Sequence, residues 1–343
     1  MPLTKSEKQI LQSIVVASEN DPRRPEFPPS APKFPATPTH KISVPGFTNV
    51  WLKDESYNPT GTHKDRMAWE IIVTYRDFLL AKQRGLRNGK LPQMSILSSG
   101  SAAIAIQTAL QKYHLPALKV LVDNQIHQKY LVALKQLGCE VYQQDLSKNA
   151  LGWQDILRIT KNPSGFDITS CEALDPTTRF YDWLGYEIIN QSPEFCFVPF
   201  GTGNLYGNLL NINRLEVSRS HHDPRFRGKI RTLRGCHFLG ATTNNKTSVA
   251  DKLYSSHLPF AHFDEQGIRF YRYAGFCGNK TNVHLINETY IKNALALAQK
   301  QGISCEPSGI AGLALLLELR RQIPKQAKIL IVNTGKVKLP GFK

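Results

Sequence analysis

Short apolar runs alternate with stretches of helical spacing along most of the chain. Met94–Leu97, Leu118–Val122, Cys139–Tyr142, Phe195–Pro199, Leu233–Leu239 and Ile329–Val332 read as buried strands. Between them the apolar period lengthens. Met67, Ile71, Ile72, Tyr75, Phe78 and Leu79 share one face of a helix that begins near Lys64. Further helices are predicted over 102–113, 128–137, 153–159, 178–190, 285–301 and 309–321, with another opening after Gly203. Strands alternating with helices build parallel sheets covered on both faces, so the chain is α/β. Such sheets hold ligands beyond the carboxyl ends of their strands, and the polar, glycine-containing segments there are where chemistry is expected.

Two stretches break the alternation. Residues 18–46 carry Pro22, Pro25, Pro28, Pro29, Pro32, Pro35, Pro38 and Pro45, the composition of an extended arm or wrapping segment. Residues 241–282 are irregular and polar. The length of 343 residues accommodates about two domains, or one large unit.

Composition narrows the partners. Lysine and arginine number 43 against 27 acidic residues, a net charge of +16. The basic residues are scattered, denser only in 219–234 and 325–338, and no nucleic-acid-binding signature accompanies them. The charge reads as solubility and attraction for anionic ligands, and nucleic acid is not the expected partner. No apolar run reaches the ~18 residues of a spanning helix, so a membrane is not expected either. The apolar stretch Ile10–Ala17 is interrupted by Gln12 and Ser13 and lacks a small-residue cleavage site, which argues against a signal peptide. Cys139, Cys171, Cys196, Cys236, Cys277 and Cys305 stand singly, with no Cys/His grouping at metal-ligand spacing. Buried free thiols in a reducing, cytoplasmic setting are expected, and no metal.

Five segments carry candidate chemistry. The first is Asn58-Pro-Thr-Gly-Thr-His-Lys-Asp-Arg66, where Lys64 follows a glycine turn and opens a helix. The positive end of the helix dipole disfavours an ammonium there and, with partial burial, favours the neutral amine that traps a carbonyl, although most lysines are simply solvated. Ser98-Ser-Gly-Ser-Ala102 ends a strand and opens a helix, an anion site or a plain helix cap. Pro199-Phe-Gly-Thr-Gly-Asn204 does the same, and its glycines allow close backbone approach to a phosphate, though a tight turn needs glycine anyway. Cys305-Glu-Pro-Ser-Gly309 places Glu306 ahead of an apolar helix. Thr334-Gly335-Lys336 ends the last strand.

In this order the segments resemble the tryptophan-synthase-β-like (fold type II) pyridoxal-phosphate enzymes, nearest the threonine synthase and threonine dehydratase branches. The resemblance spans about Val50 to Lys336. It implies two domains, each with a mainly parallel sheet flanked by helices, and the cofactor in the cleft between them. A proline-rich arm would cover 1–46, a larger cofactor domain 47–84 with 190–343, and a smaller substrate-carboxylate domain 85–189. Lys64 would be the catalytic lysine, holding pyridoxal 5′-phosphate as a Schiff base and serving as general base. His63, Ser101, Gly201, Thr202, Gly203, Asn204, Glu306 and Thr334 would complete the cofactor's contacts. Ser98, Ser99, Gly100, Ser101 and Ala102 would hold the carboxylate of an amino-acid substrate. A homodimer is the expected assembly.

Three departures from the family pattern bear on the reaction. Ser101 stands where Asn is usual, the glycine loop is a residue short, and Lys336 stands where threonine synthases have His. The implied chemistry is elimination or replacement at Cβ or Cγ, as in a carbon–oxygen lyase of threonine synthase or serine/threonine dehydratase type. Arg179, Lys246, Lys280 and Lys336 are candidates, by charge, for a substrate phosphate. A pseudoenzyme that keeps the fold as a binding protein, or a basic nucleic-acid-binding α/β protein, are the alternatives.

Overall fold

A computed structural model describes residues 2–14, 35–148, 151–168, 180–222, 234–254 and 282–339. The chain falls into two compact units. One takes in Met1–Pro35, Lys64–Phe180 and Val337–Lys343, and the other Ala36–His63 and Tyr181–Lys336.

The first unit is built on a four-stranded sheet of β3 (Met94–Leu97), β4 (Lys119–Asp123), β5 (Glu140–Gln144) and β6 (Phe166–Asp167). Their order is β5-β4-β3-β6 and every pairing is parallel. Every residue of β3 is buried, which is why it reads as a continuous apolar run rather than an alternating one. Helices α2 (Lys64–Gln83), α3 (Ser101–Lys112), α4 (Gln128–Gln136) and α5 (Trp153–Ile159) accompany the sheet, and α2 packs along α3. Ahead of them runs α1 (Lys5–Ser13), opened by a reciprocal Thr4–Glu7 cap. Glu7 also takes the Lys82 ammonium at 2.7 Å, tying α1 to α2.

The second unit carries six strands: β1 (Thr39–Lys41), β2 (Val50–Asp54), β7 (Phe195–Pro199), β8 (His237–Thr242), β9 (Asn282–Leu285) and β10 (Ile329–Asn333). They lie in the order β1-β2-β10-β7-β8-β9. The β1–β2 pair is antiparallel and each other pairing is parallel. The helices are α6 (Asp182–Ile189), α7 (Asn204–His222), α8 (Glu288–Lys300) and α9 (Ala311–Glu318). Leu52, Phe197, Ile329 and Ile331 of the sheet pack with Leu313 and Leu316 of α9 and Ala294 and Ala298 of α8 in one core. The close approach of α9 depends on Gly312, where a Cβ would come within 2.6 Å of the Phe197 carbonyl oxygen.

The α/β expectation, parallel sheets flanked by helices, is met. The helices predicted over 178–190 and 309–321 are shorter, Asp182–Ile189 and Ala311–Glu318, and two further boundaries differ from the sequence reading. The stretch 285–301 is two elements: β9 ends at Leu285, and α8 starts after Asn287, whose side chain caps the Thr289 N–H. The strand placed over 233–239 is β8 over His237–Thr242, because it pairs with β7 from Phe195↔His237 to Pro199↔Ala241. Four elements went unread: α1, β1, β6 and β9. Residues 15–34, which hold most of the arm's prolines, lie outside the described residues, as do Cys171, Cys277, Arg179 and Lys280. No described helix is long and apolar enough to cross a membrane.

Candidate active site

Lys64 is the first residue of α2 and is half-buried. Burial pushes its amine from the ordinary 10.5 down to about 8. The sequence argument invoked the helix dipole together with partial burial; in the structure desolvation by burial is the cause. Either way, a neutral amine is far more accessible than in a solvated lysine.

In the same unit the serine segment joins β3 to α3. Ser98 and Ser101 are buried and Ser99 is exposed. Ser98 Oγ accepts from the Gly100 N–H at 3.0 Å and from the Ala103 N–H at 3.4 Å, so this hydroxyl shapes the turn. Gly100 caps the helix with φ +123°, and a Cβ there would meet the Tyr130 ring at 2.8 Å. The N–H groups of Ser101 and Ala102 sit at the head of α3, where the helix itself supplies no carbonyl for them. A carboxylate suits that position.

The second unit assembles the other segments. The glycine loop leaves β7 and leads into α7, which starts at Asn204. Gly203 has φ +85°, and a Cβ on Gly201 would lie 2.9 Å from the Lys252 carbonyl oxygen. Thr202 is exposed, on the tip between them. A loop closed behind by backbone, with a long helix starting next to it, is a natural phosphate cradle.

Lys252 links two of these segments, which the sequence did not signal. Its Nζ lies 2.5 Å from Glu306 Oε2, and its backbone N–H donates to Ser308 Oγ at 3.1 Å. The lysine therefore joins the back of the glycine loop to the Glu306–Gly309 turn. The turn is in turn stitched to the end of β10: the Glu306 N–H donates to the Gly335 carbonyl at 3.3 Å, and the Thr334 N–H to the Gly309 carbonyl at 3.0 Å. A Cβ on Gly309 would come 2.4 Å from the Gly335 oxygen. Thr334 is buried at the strand's carboxyl end.

The turn leading to Lys64 closes on the same strand end. The His63 N–H donates to the Thr334 carbonyl at 3.2 Å, and the Lys336 N–H to the Gly61 carbonyl at 2.9 Å. Gly335 has φ +91°, and its Cβ would stand 2.1 Å from the Gly61 oxygen, so no other residue fits there. The His63 ring lies 5.2 Å from that of Tyr181. Within this unit the structure thus brings together His63, Gly201, Glu306 and Thr334 with their neighbours. Lys64 and Ser98–Ala102 belong to the other unit, where α2 packs along α3. Lys336 is exposed, and so is Lys246.

Comparison with known proteins places the chain in a family. The 2-amino-4-ketopentanoate thiolase β subunit of an unidentified prokaryote is 24% identical over 86% of this chain. The chain spans only 62% of that relative's length. Threonine synthase of Synechocystis sp. is 22% identical, over 83% of this chain and 71% of its own. A crystal structure of pyridoxal 5′-phosphate-dependent aspartate racemase superposes with a TM-score of 0.63 at 14% identity, covering 99% of both chains. The model of the family described as pyridoxal-phosphate dependent enzyme matches residues 33–335, nearly the whole chain, and this chain belongs to that family.

Proposed function

We propose that this chain uses pyridoxal 5′-phosphate, held through Lys64, to eliminate or replace a group at Cβ or Cγ of an amino acid, as a threonine synthase-like or dehydratase-like lyase. The observation that carries this reading is the family match over residues 33–335 together with Lys64 standing at the head of α2 behind the glycine turn; burial also pushes its amine down to about 8. Two features support the fit of the cofactor. An amine this close to neutrality condenses readily with an aldehyde. The loop Gly201–Asn204 cannot take a Cβ at Gly201 without shifting backbone, and Gly203 adopts a left-handed φ, as a backbone phosphate cradle requires.

Once bound, the cofactor supplies an electron sink for charge that develops at the substrate Cα. Lys64 would hold the cofactor through its aldehyde and would serve as general base toward the substrate Cα proton. Ser98–Ala102 hold the substrate carboxylate through the N–H groups at the head of α3. Gly201, Thr202, Gly203 and Asn204 hold the phosphate, with Ser101, His63 and Glu306 as flanking contacts. Thr334 would offer a neutral hydroxyl, not a carboxylate, to the cofactor ring nitrogen, which would leave that nitrogen largely unprotonated. A shallower sink favours expelling a leaving group over transamination. Lys246 and Lys336 are the candidates among the described residues for a second anionic group on the substrate. A homodimer in a reducing, cytoplasmic setting completes the proposal.

The test begins with attachment. After incubation with pyridoxal 5′-phosphate and borohydride, peptide mass analysis should find the reduced adduct on Lys64, and none at that position in Lys64→Ala. Loaded protein is then screened with O-phosphohomoserine, threonine, serine and O-acetylserine for released phosphate, ammonia or product. Adducts spread evenly over surface lysines would sink the proposal. Attachment at Lys64 without turnover of any of these would leave the pseudoenzyme reading in its place.

A further inference from the structure

We infer that Asn58 and Glu55 act as positioning residues for Lys64, by fixing the last peptide plane ahead of His63. This rests on Lys64 being the cofactor lysine. Both residues are buried, Glu55 completely. The Asn58 amide divides its two N–H groups. It donates to Glu55 Oε2 at 2.8 Å and to the Thr62 carbonyl at 3.0 Å. The other Glu55 oxygen accepts from Thr37 Oγ1 at 2.5 Å.

The Thr62 carbonyl and the His63 N–H belong to one peptide group. Asn58 holds the carbonyl, and the Thr334 carbonyl accepts from the N–H at 3.2 Å. That peptide is therefore clamped at both ends, one residue before Lys64. The turn below it is also fixed, with the Gly61 N–H donating to the Asn58 carbonyl at 2.9 Å. A buried carboxylate costs desolvation, and an apolar residue of similar size would stabilise the turn at least as well if stability were the only demand. What the carboxylate supplies is an acceptor that aims the Asn58 amide, and through it the direction in which the chain enters α2.

Positioning is separable from stability by one pair of substitutions. Asn58→Asp removes both donors and sets a second carboxylate against Glu55. Combining it with Glu55→Gln restores the contact between the two positions, since the glutamine amide donates to the new carboxylate. It does not restore the donor that Asn58 gives the Thr62 carbonyl. We expect Asn58→Asp to lower the rate of borohydride-trapped attachment of pyridoxal 5′-phosphate to Lys64 by about tenfold or more. The double variant should recover the thermal midpoint of the native chain while its attachment rate stays low. Visible circular dichroism of the loaded double variant should also differ in amplitude from native, since the lysine presents the bound group differently.

Native-rate attachment in the double variant, or in Asn58→Asp, overturns the inference and leaves the proposed function standing. A native chain that takes no label at Lys64 overturns both.

Discussion

At the scale of single residues, the chemistry turns on how a buried lysine titrates. Lys64 loses its proton at about 8 in the folded chain against 10.5 for the ordinary side chain. Attachment of pyridoxal 5′-phosphate should therefore rise through about pH 8 and level off above it, which stopped-time borohydride trapping measures. The same shift affects stability, with a definite sign. Below about pH 8 the folded cofactor-free chain carries an ammonium in a poorly solvated place, and the full penalty applies. Between about pH 8 and about pH 10 the unfolded chain binds more protons, so stability rises with pH. Lys64→Met should raise the thermal midpoint more at about pH 7 than at about pH 10. An equal effect at both values would show that the lysine titrates normally. The position of Lys64 was legible because a glycine turn precedes a helical period. Partial burial was part of that reading, and its extent, a tertiary property, is what the structure adds.

At the scale of elements, the glycines set what each junction can do. Gly203→Ala places a Cβ on a residue with φ +85°, a strain of about 1–2 kcal/mol. Since the loop is assigned to the phosphate, the substitution should weaken binding of pyridoxal 5′-phosphate severalfold and leave that of unphosphorylated pyridoxal nearly unchanged. Equal losses for both would take the phosphate away from this loop. Gly335→Ala is harsher, because the new carbon would stand 2.1 Å from the Gly61 oxygen and φ is +91°. We expect a loss of about 2–4 kcal/mol in chemical unfolding, with the turn ahead of Lys64 displaced. Several junctions were readable from sequence: strands β3, β7 and β10 end just ahead of the serine, glycine and Thr334 segments. Strand β9 was not, because it is four residues long behind an irregular stretch and its last residue, Leu285, falls in with the apolar positions of α8. Lys252 was invisible for another reason. Its partners Glu306 and Ser308 are more than fifty residues away in sequence, and its own surroundings read as irregular loop.

At the scale of the whole molecule, the charge of +16 is spread over the chain rather than gathered into a groove-reading element. Such a field attracts anions without selecting among them. The association rate of pyridoxal 5′-phosphate should fall as ionic strength rises from about 0.02 M to about 0.5 M, while that of neutral pyridoxal holds steady. A salt-independent rate would mean that the field at the site is locally cancelled. The Lys252–Glu306 pair cancels charge in this way beside the glycine loop. Fold class was the most legible property at this scale, because alternation of buried strands and helices survives small errors at every boundary.

Strand β1 is three residues long and runs antiparallel to β2, at one margin of the six-stranded sheet. Its pairing from Thr39↔Lys53 to Lys41↔Trp51 occupies hydrogen-bonding groups that β2 would otherwise turn outward. A chain cut back beyond Lys41 should therefore keep its helical dichroism yet self-associate through the bared β2, forming particles that light scattering detects as concentration rises.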